Sequence, residues 1–184
     1  KIKAISFRSR LQGLFVGALL AFHLIFFYLS IKLSNVSIGT VTLASSSFFT
    51  SLLEPKLLNK RFDKTSLIYA SLNLIGLLLI FNFDTKFRLG ISVGIISAFL
   101  AALFTVCNKK FSYGKDPYTF INYEMLGGFL LVLALSPVYL LGYGTASIYF
   151  DLKDLIYLFL LATVFTVLLY LMVVQLASKV SAFT

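Results

Sequence analysis

The stretch FHLIFFYLSIKLSNVSIGT, residues 22–40, decides how the rest of the chain reads. An apolar run closes at Lys32, a very short polar turn follows, and a new apolar run opens at Val36-Ser37. The same phrase returns near the other end. Shifted by 143 positions, FHLIFFYLSIKLS (22–34) lies over FTVLLYLMVVQLA (165–177). Phe22 meets Phe165, Leu33 meets Leu176, and the polar Lys32 sits over Gln175. With one extra residue, Val36, Ser37 and Thr40 lie over Val180, Ser181 and Thr184. The chain therefore stops where the second copy of the phrase ends, just as a new apolar run opens, and it starts with Lys1 rather than Met. Both features lead us to expect a piece of a longer protein.

Between the two copies the sequence is strongly apolar. Of 184 residues, 59% are hydrophobic and 12% are charged, against about 25% charged in a soluble domain. Mean hydropathy is +0.95. A membrane protein is expected. Cys107 is the single cysteine and His23 the single histidine, which leaves no disulfide framework and no metal cluster to expect. The net charge of +9 is held in short gaps between apolar runs. A nucleic-acid face needs a continuous basic surface, so no nucleic acid is expected.

Crossing a bilayer as a helix takes about 20 apolar residues. Six such runs stand out, at 11–31, 37–54, 65–83, 89–108, 117–141 and 154–176, and a seventh starts near 180. Backbone in lipid must satisfy its own hydrogen bonds, as a helix or as a barrel strand. Barrel strands alternate apolar and polar residues, and these runs do not. The expected fold class is all-α, a polytopic transmembrane helix bundle.

Lysine and arginine set the orientation. Alternate gaps hold twelve of them (Lys1, Lys3, Arg8, Arg10, Lys56, Lys60, Arg61, Lys64, Lys109, Lys110, Lys115, Lys179) and the others four (Lys32, Lys86, Arg88, Lys153). Residues 1–10 are thus expected in the cytoplasm, with the first helix running outward. The two copies of the opening phrase lie five helices apart. Five is odd, so the copies cross in opposite senses, and inverted repeats of this kind mark secondary transporters.

Four stretches carry a family resemblance: IKLSNVSIGTVTLASSSFFTSLLEPKLL (31–58), SLNLIGLLLI (71–80), GIISAFLAALFTVCNKKF (94–111) and LLYLMVVQLASKVSAF (168–183). Together they resemble EamA-type members of the drug/metabolite transporter superfamily. The family's usual Gly-Glu after the fourth helix is replaced here by Asn59-Lys60. The resemblance implies a ten-helix fold of two inverted five-helix repeats, entered here at the third helix and left at the start of the ninth. Residues 1–84 would then be the last three helices of the first repeat. Residues 85–184 would be three helices of the second plus the start of a fourth. It also implies a permease or exporter of small metabolites such as amino acids, working by alternating access in a bacterial inner membrane, without a cofactor and not as an enzyme.

Several residues are candidates for that work. Glu124 lies about 10 Å into the helix that starts at Pro117, and an acid inside the membrane is a functional candidate by default. Reaching back to Lys109, Lys110 or Lys115 is the alternative. His23 lies mid-helix, to relay a proton, hold a carboxylate, or pack through hydrogen bonds; Thr166 is its counterpart in the second copy. Ser45 and Ser46 offer hydroxyls to a cavity or to helix carbonyls. Phe27 and Phe49 supply aromatic walls, and Asn73, Tyr123 and Tyr170 are further polar points, with Tyr123 equally placed to mark the interface. Glu54-Pro55 is expected to end the second helix, with Glu54 paired to Lys56 or Arg61 and a gating role implied by the resemblance. Pro137 is expected to kink the fifth. Gly13, Gly17, Ala21 and Gly90, Gly94, Ala98, Ala102 form two ladders of small residues, which pack helices or let them slide.

Expected partners are membrane lipid and a small metabolite, with homodimerisation compatible. The competing readings are an integral-membrane enzyme acting on lipid-linked substrates and a channel or receptor subunit. An enzyme needs catalytic polar groups at one interface, where Glu124, Glu54 and nearby lysines are what the sequence offers. A channel needs charged rings or a filter loop.

Overall fold

The computed structural model describes residues 6–83, 86–143 and 151–168. Among them every regular element is helical. Helix α1 is Phe7–Leu33, α2 Val36–Ala44, α3 Ser46–Leu58, α4 Lys64–Phe83, α5 Arg88–Ser112, α6 Pro117–Tyr143 and α7 Leu152–Leu160. A π-helical segment, Leu161–Leu168, follows α7. Four helices are long and apolar enough to cross a membrane: α1, the α2–α3 run Val36–Leu58, α5, and Pro117–Gly142 within α6. Lys64–Leu79 of α4 is a shorter apolar helix. The chain is thus an integral membrane protein by length and composition of its helices.

The chain divides into two compact units, Lys1–Ala134 and Leu135–Thr184. In the first, the opening phrase folds as a tight reversal. Ser6 caps the start of α1 through Ser9 N (3.3 Å), and α1 ends at Ser34. Asn35 then caps α2 by accepting from Ile38 N at 2.9 Å. Gly39 lets α2 close on α1: a Cβ there would lie 2.6 Å from Ile31 Cγ1.

Helix α5 sits at the centre of this unit, against α1, α2 and α3. Ser30 of α1 donates to Gly90 O (2.7 Å), and further along His23 meets Ser97. Rising numbers on one helix meet falling numbers on the other, so α1 and α5 are antiparallel. Thr42 lies against Gly94, Phe49 against Phe99 and Glu54 against Lys109, so α2–α3 and α5 are parallel. Helix α6 runs parallel to α1, with Gly13 beside Tyr123 and Gly17 beside Glu124 and Gly128. These senses agree with a strict alternation of passes.

Both ladders of small residues are packing surfaces. A Cβ on Gly13 would lie 2.8 Å from Tyr123 Cβ, and one on Gly17 would run into the Glu124 carbonyl. Gly127 faces the Leu14 backbone just as closely. Backbones at such an approach leave no room for a side chain, which is how helices associate in lipid. Gly90 and Gly94 make room for side chains instead, Ser34 against the first and Thr42 and Ser30 against the second.

Three sequence expectations about helix ends are corrected. The second apolar run is broken at Ser45, between α2 and α3. Pro55 does not end it, because α3 continues to Leu58 and closes on Asn59 in a left-handed conformation (φ 52°). The end comes at Asn59, a residue type that tolerates that conformation, while Pro55 is accommodated inside the helix. The sixth run is not one regular α-helix, since α7 gives way to π-helix at Leu161. Pro137 lies inside α6, which continues to Tyr143.

In the second unit, α7 starts with a capping box. The Asp151 side chain accepts from the Asp154 backbone N–H, and Asp154 Oδ2 accepts from Asp151 N at 3.3 Å. Of the copy of the opening phrase at 165–177, residues 165–168 belong to the π-helical segment and 169–177 lie outside the described residues.

Candidate functional site: polar contacts inside the apolar bundle

Helix α5 supplies a polar partner at three depths. Nearest its C-terminus, Asn108 Nδ2 donates to Glu124 Oε2 at 3.2 Å. Glu124 is completely buried. Its own backbone faces Gly17, so the glycine that admits α6 also brings the carboxylate into the bundle. Of the lysines weighed as alternative partners, Lys109 pairs with Glu54 Oε1 at 2.8 Å. Lys115 instead donates to Gln12 Oε1 (2.6 Å) and lies 5.0 Å from the Phe120 ring centroid. Burial pushes the Lys115 ammonium below its usual value.

Eleven residues before Asn108, which is about 16 Å along the helix, Ser97 meets His23. His23 Nδ1 lies 3.1 Å from Ser97 O and 3.0 Å from Ser97 Oγ, and Ser97 Oγ donates to His23 O at 3.1 Å. Both residues are buried. With the proton on Nδ1, the imidazole donates to the α5 backbone while the serine donates to the α1 backbone. That reciprocal pair fastens α1 to α5 and fits the packing alternative for His23. Phe27 stands 6.1 Å from the imidazole, centroid to centroid. His23 and Glu124 thus belong to separate contacts, not to one cluster.

The third contact is Ser30 Oγ to Gly90 O at the far end. Sequence reasoning missed Ser30, Ser97 and Asn108. A signal was present: Ser97 and Asn108 are eleven residues apart, three helical turns, and lie on the α5 stripe that continues the Gly90–Gly94 ladder.

A different polar site forms at the break in the second run. Phe48 N donates to Ser45 O at 3.0 Å, so the Ala44 carbonyl loses the amide it would have in a continuous helix. Two side chains replace it: Ser47 Oγ at 3.0 Å and Asn73 Nδ2 of α4 at 3.1 Å. Ser45 is buried and its hydroxyl donates back to Thr42 O at 2.6 Å. The serine run therefore serves helix carbonyls, the second of the two roles expected for it. Ser46 contributes its carbonyl to Thr50 Oγ1 (2.8 Å). Asn73, expected as a polar point toward a pore, is a structural donor. Phe49 meets Phe99 edge-on at 5.5 Å.

At the cationic end, Glu54 pairs with Lys60 (3.1 Å) and Lys109 (2.8 Å), where Lys56 or Arg61 was expected. The helix runs on past Pro55, so Lys60 folds back over the last turn while α5 delivers Lys109. Tyr123 sits with its ring centroid 5.9 Å from the Arg10 guanidinium, which fits a residue at the interface. The side chain of Thr166 and the whole of Tyr170 lie outside the described residues. No group of histidine, cysteine and acids with metal-binding potential occurs among the described residues.

These features define a polytopic helical membrane protein with a buried acid–amide contact. The chain is 28% identical over 116 residues to an uncharacterized protein of Aquifex aeolicus (strain VF5). That alignment covers 55% of this chain and 28% of the length of the relative. No family model matches the chain. No solved structure matches it.

Proposed function

We propose that the chain is part of a secondary transporter for small metabolites such as amino acids, of the EamA type, in a bacterial inner membrane. Its residues would form the last three helices of one five-helix repeat and the first three of an inverted second one. The observation that carries this reading is Glu124, a fully buried acid inside an apolar span with an amide partner on the neighbouring helix. Placing a carboxylate in a bilayer costs about 2.5–3.5 kcal/mol at the centre on insertion scales, a cost that a purely structural helix avoids. A coupling or substrate-holding role would account for an acid being kept there. Alternation of the helix senses in the first unit supports the same reading.

Flux of labelled amino acids into vesicles containing the full-length protein tests it. Transport is expected in the wild type and lost in Glu124→Gln. Wild-type flux in that variant removes Glu124 from the mechanism. Absence of flux, together with turnover of a lipid-linked substrate, would favour the membrane-enzyme reading instead.

A further inference from the structure

The end of the bundle formed by α3, α4 and α5 carries an excess of positive charge around one carboxylate. Lys60 Nζ and Lys109 Nζ both lie within 3.1 Å of a single oxygen, Glu54 Oε1. Two ammonium groups share one negative charge, so the trio keeps a net positive charge at neutral pH. Both lysines remain open to solvent, with side chains 53% and 58% exposed. Around them Lys56, Arg61, Lys64 and Lys110 are all exposed. The other acid in this stretch, Asp63, faces its own helix start, accepting from Thr65 N (3.0 Å) and from the Ser66 hydroxyl. Six cations therefore stand against two carboxylates, one already shared and the other committed to a cap.

A phosphate group would answer that charge, whether free or on a lipid. The adjoining surface decides between them. Directly along the helix from Lys64, α4 presents Ile68, Leu72, Ile75 and Leu79 at helical spacing on one face. All four are more than half exposed. A charged patch for a headgroup thus runs into an apolar strip for an acyl chain, on the end of the bundle that the lysine and arginine distribution assigns to the cytoplasmic leaflet. Clusters of basic residues beside membrane helices attract anionic lipid.

We propose that this end of α3, α4 and α5 is a binding site for an anionic phospholipid. Its phosphodiester is held by Lys60, Lys109 and their basic neighbours, and its acyl chain lies along the exposed face of α4. The site is independent of whether the protein transports anything.

The test uses full-length protein in phosphatidylcholine nanodiscs with or without phosphatidylglycerol, with co-purifying lipid counted by native mass spectrometry. Phosphatidylglycerol is expected to be retained over phosphatidylcholine. Lys56→Gln/Arg61→Gln/Lys110→Gln leaves the Glu54 pairs intact and is expected to weaken retention about fivefold per charge removed. Lys86→Gln, at the opposite end, retains lipid as the wild type does. Equal retention of the two lipids, or full retention in the triple variant, overturns the proposal. So does thermal stabilisation by inorganic phosphate alone that matches stabilisation by phosphatidylglycerol, because the ligand is then a free anion.

Discussion

Replacing Asn108 by leucine keeps the bulk of the side chain and removes the amide that donates to Glu124. The carboxylate is completely buried, so the loss of one of its donors is not made good by bulk water. We expect a loss of about 1–2 kcal/mol in unfolding measured in detergent. In a Glu124→Gln background most of that loss should disappear, and a double-mutant cycle reads the coupling directly. Gly17→Leu should be worse, since even a Cβ meets the Glu124 carbonyl. Gly76→Leu serves as its control, because nothing lies within 4 Å of a Cβ there. If cysteine cross-linking between positions 14 and 127 survives Gly17→Leu at wild-type yield, the α1–α6 contact is not what the glycines maintain. At this scale the sequence showed Glu124, His23 and the glycines, because rare residues in apolar runs draw notice. It did not show their partners. Asn108 precedes Lys109-Lys110 and reads as part of a polar helix end, and Ser97 is one small residue among many. Partnership is a property of two helices at a given rotation, which neither helix encodes alone.

Helices were legible to within a few residues where apolar runs end in polar gaps. The departures occur where hydroxyls intervene. Ser45, Ser47, Thr50 and Ser51 all bond helix carbonyls, and the α2–α3 run loosens at the first of them. Periodicity cannot register this, because each residue suits a helix by itself. Asn73→Leu removes the α4 donor to Ala44 O and is expected to destabilise by about 0.6–1.7 kcal/mol, with faster amide exchange at residues 45–49. Unaltered exchange there would mean that Ser47 suffices. The start of α6 offers a pH test. Asp116 accepts from Thr119 N at 2.9 Å and from the Thr119 hydroxyl, and these hydrogen bonds hold its carboxyl below the usual 3.8. A depressed folded value means the cap contributes above pH 3.8 and fades as the pH falls through that lower value. The midpoint difference between wild type and Asp116→Ala should therefore shrink on acidification below pH 4, and a constant difference would show that the cap does not titrate.

At the scale of the molecule, the relative senses of α1, α2–α3, α5 and α6 in the first unit are those that the alternation of lysine- and arginine-rich gaps leads one to expect. The inverted repeat depends on the second copy, so its test is topological. Cysteines placed beside Lys32 and Gln175, in a Cys107→Ala background, are expected to react with impermeant reagent from opposite sides of the membrane. Labelling from the same side would remove the repeat and with it the transporter proposal. The central place of α5 has a further consequence, for biosynthesis. His23 waits for a partner 74 residues later in the chain, and Ser30 for one 60 residues later. At about 5–20 residues per second, α1 leaves the ribosome on the order of 4–15 s before the helix that completes it. During that interval the imidazole and the hydroxyl lack the α5 partners that hold them in the finished fold. Nascent chains arrested before α5 should be selectively bound by membrane chaperones or degraded, and those arrested beyond it should not.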